Sequence, residues 1–254
     1  MTPSLAGRAV VVTGGTKGLG RGVAAAFRQA GADVLVCARN PAGDGKDAHF
    51  VAADLRDPEQ AARVVDEAVT RFGRLDVVVN NAGGSPAAAA ATVSPRFTEK
   101  IVALNLLAPF YVAQRANAVM QQQDEGGAII NIGSISGQRP SPGTAAYGAA
   151  KAGLASLTQS LAMEWAPKVR VNIVTVGYLE TEQASLHYGD HATVAAVAET
   201  MPIGRLVRPD DVAAVCVFLA SPAASAVTGA DIAVHGGGEV PPFLRVRGDE
   251  GSGR

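Results

Sequence analysis

The stretch Thr13-Gly14-Gly15-Thr16-Lys17-Gly18-Leu19-Gly20 follows the apolar run Ala9-Val10-Val11-Val12 and leads into a segment with helical spacing. A strand that ends in a glycine-rich turn and opens a helix brings free backbone N–H groups and the positive end of the helix dipole to one point. Glycines at 14, 18 and 20 keep side chains away from that point and permit positive φ, so a diphosphate fits there. The spacing differs from GxGxxG. It also differs from the GxxxxGKS/T phosphate loop, because no Lys-Ser or Lys-Thr follows Gly18 or Gly20, which disfavours a nucleotide kinase.

Outward from this turn, apolar runs of strand length recur at Ala9–Val12, Val34–Val36, Phe50–Ala53, Val77–Val79, Ile129–Ile132, Val171–Val176 and Ile232–Val234. Helical spacing falls between them, at Leu19–Gln29, Pro58–Phe72, Pro95–Gln122, Ala145–Trp165, near Thr193–Thr200, and at Pro209–Ala220. Continuous Val and Ile runs without period-two alternation predict strands covered on both faces. The pattern predicts an α/β fold, a doubly wound parallel sheet of about seven strands in a single domain. Gly31 closes the first helix, Pro58 opens the second, and Gly126-Gly127 precedes the fifth strand. The crossover at Arg39–Asp47 has no helical pattern. Residues 1–240 are expected to form the catalytic domain, and 241–254, rich in Gly and Pro, a frayed tail.

The 254 residues are 48% hydrophobic, enough for one large core, and carry 22 basic against 23 acidic side chains, which argues against a nucleic-acid or anionic membrane partner. No export signal precedes the first strand, and the densest apolar stretch, Val212–Ala220, is far shorter than a membrane span. Cys37 and Cys216 lie far apart in apolar runs, as buried reduced thiols of a cytoplasmic protein would.

A second constellation lies downstream. Asn80-Asn81-Ala82-Gly83 follows the fourth strand, at the carboxyl edge where open α/β sheets bind ligands. Ser134 follows the fifth strand, and Tyr147-Gly148-Ala149-Ala150-Lys151 places Tyr and Lys four apart on one helix face. Ser134 is not in a G-x-S-x-G elbow and has no acid and histidine arranged to activate it, which disfavours a serine hydrolase. TGGTKGLG, NNAG, Ser134 and YGAAK stand in the order and near the spacing of the short-chain dehydrogenase/reductase family, and the chain resembles that family from Gly7 to Gly238.

The resemblance implies a nicotinamide cofactor and a catalytic set of Asn105, Ser134, Tyr147 and Lys151. Its implied cofactor surface comprises Gly14, Thr16, Lys17, Gly18, Leu19, Gly20, Arg39, Asp54, Leu55, Asn81, Ala82, Gly83, Tyr147, Lys151, Gly177 and Thr181, with Asp54 at the adenine. Near neutrality a tyrosine phenolate needs about 4 kcal/mol of anion stabilisation, and Lys151 is the cation in reach. Val36-Cys37-Ala38-Arg39-Asn40 carries no acid for a ribose diol, whereas Arg39 and Lys17 attract a 2′-phosphate. The expected cofactor is therefore NADP(H), with NAD(H) the alternative.

Val176 stands where the family commonly has proline before Gly177, which predicts a less rigid wall at the nicotinamide. The family places a substrate lid around 178–205. Leu179, Leu186 and Met201 there are expected either to face an apolar ketone or secondary alcohol as the small-molecule substrate or to belong to the core. His187 and His191 share a helical spacing, but Gly189 between them and the missing third ligand predict no metal. The alanines of Pro95–Gln122 and Ala145–Trp165 allow close helix approach, and by resemblance predict a homo-oligomer, a tetramer or dimer. A 3-oxoacyl-(carrier protein) reductase is the rival within the family, with Asp124 and Glu125 standing where those enzymes carry basic residues. A dinucleotide-binding sensor without turnover is the rival of another class, and the intact catalytic set argues against it.

Overall fold

The computed structural model describes residues 3–41, 49–182, 184 and 188–240. Seven strands, β1 (Ala9–Thr13), β2 (Asp33–Ala38), β3 (Phe50–Ala52), β4 (Val77–Asn80), β5 (Gly127–Ile132), β6 (Val169–Val176) and β7 (Asp231–Val234), form one sheet. All pairings are parallel, in the order β3-β2-β1-β4-β5-β6-β7. The order reverses between β1 and β4, and a crevice opens at that point beyond the strand ends.

Helices α1 (Gly18–Gln29), α2 (Pro58–Phe72), α3 (Pro95–Val102), α4 (Ala108–Met120), α5 (Ala145–Trp165), α6 (His191–Glu199) and α7 (Pro209–Ala220) complete the described elements. Successive strand residues serve opposite faces. Val10 and Val12 join the core beneath α1 and α7, and Val11 joins the core beneath α2 and α4. The starts follow the sequence: Asp57 caps α2 by accepting from Glu59 and Gln60 N–H, Pro58 takes the first position, and Gly73 ends the helix at φ 76°.

The expected single helix Pro95–Gln122 is interrupted by a π-helical turn at Ala103–Leu107. Pro109 explains the break. It has no N–H to return to the Asn105 carbonyl four residues back, so the chain widens there, and the turn carries Asn105 fully buried. Val176 pairs with Val234 in the β6–β7 ladder, so β6 runs unbroken to the edge of the crevice.

Candidate active site

Strands β1, β4, β5 and β6 end at Thr13, Asn80, Ile132 and Val176, all on the carboxyl edge. The first two turns are tied together. The Thr13 hydroxyl accepts from the N–H groups of Asn81 and Ala82 at 2.9 and 3.0 Å, and Asn81 Nδ2 donates to the Thr13 and Gly14 carbonyls at 2.8 and 3.2 Å. Gly14 and Gly18 adopt φ of 64° and 51°. A Cβ on Gly20 would stand 2.3 Å from the Gly14 carbonyl and 2.4 Å from Asn81 Nδ2, so only glycine lets α1 start this close to the turn.

The amino end of α1 is prepared for an anion. Lys17 occupies the cap position without a side-chain cap bond, and the first turn holds no acid. Gly18 N–H donates instead to Glu182 Oε1 at 2.8 Å, and Arg21 Nη2 reaches the same oxygen at 3.2 Å. The Gly18 N–H holds the Glu182 carboxyl below its ordinary value, helped by Arg21 and Lys17. A carboxylate resting on this amide shows that the turn accepts negative charge, as a diphosphate requires. Glu182 was not expected from the sequence. Its only signal there is an acid directly after Thr181, whose methyl group would lie 3.7 Å from a Cβ on Gly18.

Other expected cofactor residues divide by exposure. Lys17 and Arg39 are exposed at the rim. Leu19 and Leu55 are 7% and 5% exposed and pack into the core, so only their main-chain groups can face a ligand. Asp54 is gripped by Arg56, whose Nε donates to Oδ1 at 2.9 Å, and that bond chiefly lowers its carboxyl, with Arg39 contributing through charge. Arg39 and Asp54 therefore lie within electrostatic reach of each other. Gly177 is packed on His235, where a Cβ would meet the histidine Cβ at 2.9 Å.

The four expected catalytic side chains come together. A Cβ on Gly83 would lie 2.7 Å from Asn105 Oδ1 and 3.4 Å from Lys151 Nζ, so both groups flank the same backbone turn. Asn105 grips the neighbouring Gly84, accepting from its N–H at 2.9 Å and donating to its carbonyl at 3.0 Å. Lys151 Nζ lies 5.7 Å from the Tyr147 ring centroid and donates to the Ile132 carbonyl at 2.7 Å. Ser134, two residues beyond Ile132, hydrogen-bonds Tyr147 and pulls its phenol down, and its hydroxyl also accepts from Ser136 N–H at 3.2 Å.

The electrostatics of this cluster differ from the expectation. Burial dominates and raises the Tyr147 phenol above its ordinary value, against the Ser134 hydrogen bond and with the Tyr188 phenol adding to the rise. Burial also drops the Lys151 ammonium to about 8. Desolvation disfavours the charged form of each group, and it outweighs any lowering of Tyr147 by Lys151 in the protein alone. At neutral pH the protein thus presents a protonated phenol.

Of the two readings of the lid hydrophobics, the core one holds for Met201 and Leu179. Met201 is 3% exposed and belongs to the core, and Leu179 packs against it, so neither marks an apolar substrate. Leu186 and His187 lie outside the described residues, as does the tail at 241–254. His191 is an exposed first residue of α6, and among the described residues no group of three or more His, Cys, Asp or Glu side chains could hold a metal. Cys37 and Cys216 are buried free thiols, each raised to about 12 by burial. Glu125 pairs with Arg8 and Arg74 at the amino end of β5, away from the crevice, so its acidity has a structural use there. No helix among the described residues is long and apolar enough to cross a membrane.

An anion-accepting turn at the sheet's reversal point, beside a Ser, Tyr, Lys and Asn cluster, defines a dinucleotide-binding oxidoreductase. The chain belongs to the short-chain dehydrogenase/reductase family, and a family model described as enoyl-(acyl carrier protein) reductase matches residues 14–239. It is 38% identical over 240 residues to an uncharacterized oxidoreductase of Mycobacterium tuberculosis (strain CDC 1551 / Oshkosh), covering 91% of each chain. It is 34% identical over 247 residues to a protein of Rhizobium meliloti (strain 1021) named as a probable galactose dehydrogenase, covering 92% of this chain and 96% of the relative. Among solved structures, one described as "a putative NAD(P) dependent gluconate 5-dehydrogenase from Beutenbergia cavernae", with NADP bound at low occupancy, is 37% identical with a TM-score of 0.84. That match covers 92% of this chain and 97% of the other.

Proposed function

We propose that the chain is an NADP(H)-dependent oxidoreductase that interconverts a ketone and a secondary alcohol, with Tyr147 as general acid and base. The observation that carries this reading is the meeting of Asn105, Ser134, Tyr147 and Lys151 around the Gly83–Gly84 turn, next to an amide already holding an anion. The dinucleotide, when bound, supplies or accepts the hydride.

The protein's own groups manage the proton. The protonated Tyr147 hydroxyl donates to a ketone oxygen, and in the reverse direction takes the proton from an alcohol. The Ser134 hydroxyl donates to the same oxygen as charge develops on it. Lys151, fixed by the Ile132 carbonyl, sets a positive charge behind the Tyr147 ring and favours the phenolate. Asn105 fixes the Gly84 backbone and so holds the floor of the site in place.

Gly14, Thr16, Gly18, Leu19, Gly20, Asn81, Ala82, Gly83, Gly177 and Thr181 would hold the dinucleotide, with Asp54 and Leu55 on the adenine side. Arg39 and Lys17 would read the 2′-phosphate. The neighbour with bound NADP supports this preference. Each charge-assisted contact is worth about 1.5–3 kcal/mol, a preference of about ten- to a hundredfold. Comparing kcat/KM for NADPH and NADH on one accepted substrate tests it: higher efficiency with NADPH, reversed in Ala38→Asp/Arg39→Leu, is expected. Equal efficiency in the unmutated protein refutes the reading of Arg39 and Lys17.

Residues 178–205 serve as the lid. Relatives named for galactose and gluconate support a hydroxylated substrate for this chain. Exposed Leu107 and half-buried Leu106, Phe110 and Leu157 line an apolar hollow of about 360 Å³ between the π-helical turn, α4 and α5. A second copy of the chain covering this face gives a dimer or tetramer, and a monomeric mass by light scattering at micromolar concentration refutes it. The buried free thiols fit the reducing cytoplasm.

A further inference from the structure

One charged cluster near the crevice has no part in the hydride or proton chemistry. Arg139 leaves the short turn Ile135–Gly137 that Ser134 begins, and its N–H donates to the Ile135 carbonyl at 3.2 Å. Its Nη2 donates to Glu239 Oε1 at 2.6 Å and to the Tyr178 hydroxyl at 3.0 Å, while the Tyr178 hydroxyl donates to the same Glu239 oxygen. Arg139 Nη1 donates to the Pro140 carbonyl, and its Nε is buried with no partner. Glu239 is set in place by its neighbour, since Val240 N–H donates to the Thr200 carbonyl at 2.9 Å.

The cluster reaches back to the catalytic tyrosine through two aromatic rings. Tyr178 follows Gly177 at the end of β6 and meets Tyr188 edge to face, with centroids 5.5 Å apart. The Tyr188 hydroxyl accepts from Leu179 N–H at 3.1 Å and lies close enough to Tyr147 to act on its phenol electrostatically. Arg139 and Glu239 are each about a third exposed, so both reach solvent, and Arg139 stands a few residues beyond Ser134 and Tyr178 directly after Gly177.

We propose that Arg139, Glu239 and Tyr178 form the polar end of the substrate cleft and select alcohols or ketones that carry further hydroxyl groups, the sugar and polyol class. This rests on the assignment of Tyr147 as the reacting tyrosine. A guanidinium only donates and a carboxylate only accepts, whereas a hydroxyl does both. A diol can therefore accept from Arg139 and donate to Glu239. The two charges cancel, so the cluster offers no net attraction to a free carboxylate. A site built to hydrogen-bond hydroxyls rejects an analogue without them, because its polar groups are then left unpaired.

The test uses the full chain with NADP⁺ and compares an aldohexose and an acyclic hexitol with cyclohexanol. Wild type is expected to favour the hydroxylated substrates by at least tenfold in kcat/KM. Glu239→Gln and Tyr178→Phe, which keep side-chain size, should lower kcat/KM on those substrates by about ten- to a hundredfold and change it on cyclohexanol by less than about threefold. Equal losses on both substrate types would mean a structural role and overturn the proposal. So would wild-type preference for cyclohexanol, which leaves Tyr147 in place as the reacting group. Calorimetric titration of the hexitol into the NADP⁺-loaded protein reads the site without turnover. Binding lost in Glu239→Gln but kept in Tyr147→Phe supports the cluster, and no wild-type binding overturns it. Turnover of cyclohexanol by Tyr147→Phe at the wild-type rate would instead remove the catalytic assignment.

Discussion

Replacing Lys151 with methionine should abolish turnover yet leave the unliganded protein no less stable at neutral pH. Lys151 is 4% exposed, and burial lowers its ammonium from 10.5 to about 8. Keeping it charged in the folded state therefore costs about 3 kcal/mol at pH 7, at about 1.4 kcal/mol per pH unit. Methionine has nearly the same shape and removes that cost, but leaves the Ile132 carbonyl without its 2.7 Å donor, a loss of about 1–3 kcal/mol. The two effects nearly cancel at pH 7.

The pH dependence separates them. Between pH 8 and 10.5 the unfolded chain holds the lysine proton and the folded protein has lost it, so wild-type stability rises with pH through that window. The methionine variant lacks this rise. Urea unfolding at pH 7, 9 and 10.5 should therefore show wild type gaining on Lys151→Met by about 3 kcal/mol. A difference that stays constant over that range would mean that Lys151 is not desolvated, and would refute the electrostatic account of the site. Loss of turnover in the same variant would then need another cause.

Gly20→Ala should weaken dinucleotide binding at least tenfold and cost about 1–3 kcal/mol of stability, because its Cβ would fall 2.3 Å from the Gly14 carbonyl. NADPH fluorescence titration reads the binding, with Gly153→Ala, whose Cβ meets only the flexible Leu106 side chain at 3.3 Å, as the control. Asp76 is 5% exposed and accepts from Arg8, Arg74 and Ala9 N–H. Burial would raise its carboxyl, but these donors bring it below 3.8. Its stabilisation is therefore present above that pH and lost as pH falls through the lower folded-state value. Asp76→Asn should cost about 2 kcal/mol at pH 7, less than a fully buried pair because both arginines reach solvent, and should flatten the acid limb of a thermal-melt series.

Local signals carried much of the fold. Pro58, Gly73 and the apolar spacing place α2 at Pro58–Phe72, and the bounds of α5 and α7 are likewise those the sequence predicts. Most strands extend a residue or two beyond their apolar runs, as β2 does to Asp33 and Ala38, because ladder bonding continues where hydrophobicity stops, whereas β3 ends at Ala52, one residue short of its run. The π-helical turn was legible in principle from Pro109. The meeting of Asn105, Ser134, Tyr147 and Lys151 was foreseen through the family resemblance, and Tyr147 and Lys151 share one short motif. What stayed hidden depends on distant pairings: Glu182 reaches Gly18 across 164 positions, and Arg139 reaches Glu239 across 100. Burial decided two further points: it raises the Tyr147 phenol in the protein alone, and it puts Met201 in the core, one of the two places its sequence allowed.

The most direct test of the account is the Tyr147→Phe variant, assayed with NADPH on a ketone that the wild type reduces. It deletes the one proton donor and keeps the ring's volume, so kcat should fall about 10²- to 10⁴-fold while NADPH binding stays within a few-fold of wild type. A variant that keeps more than about a tenth of wild-type kcat, against that scale, would contradict Tyr147 as the acid and base, and with it the central claim.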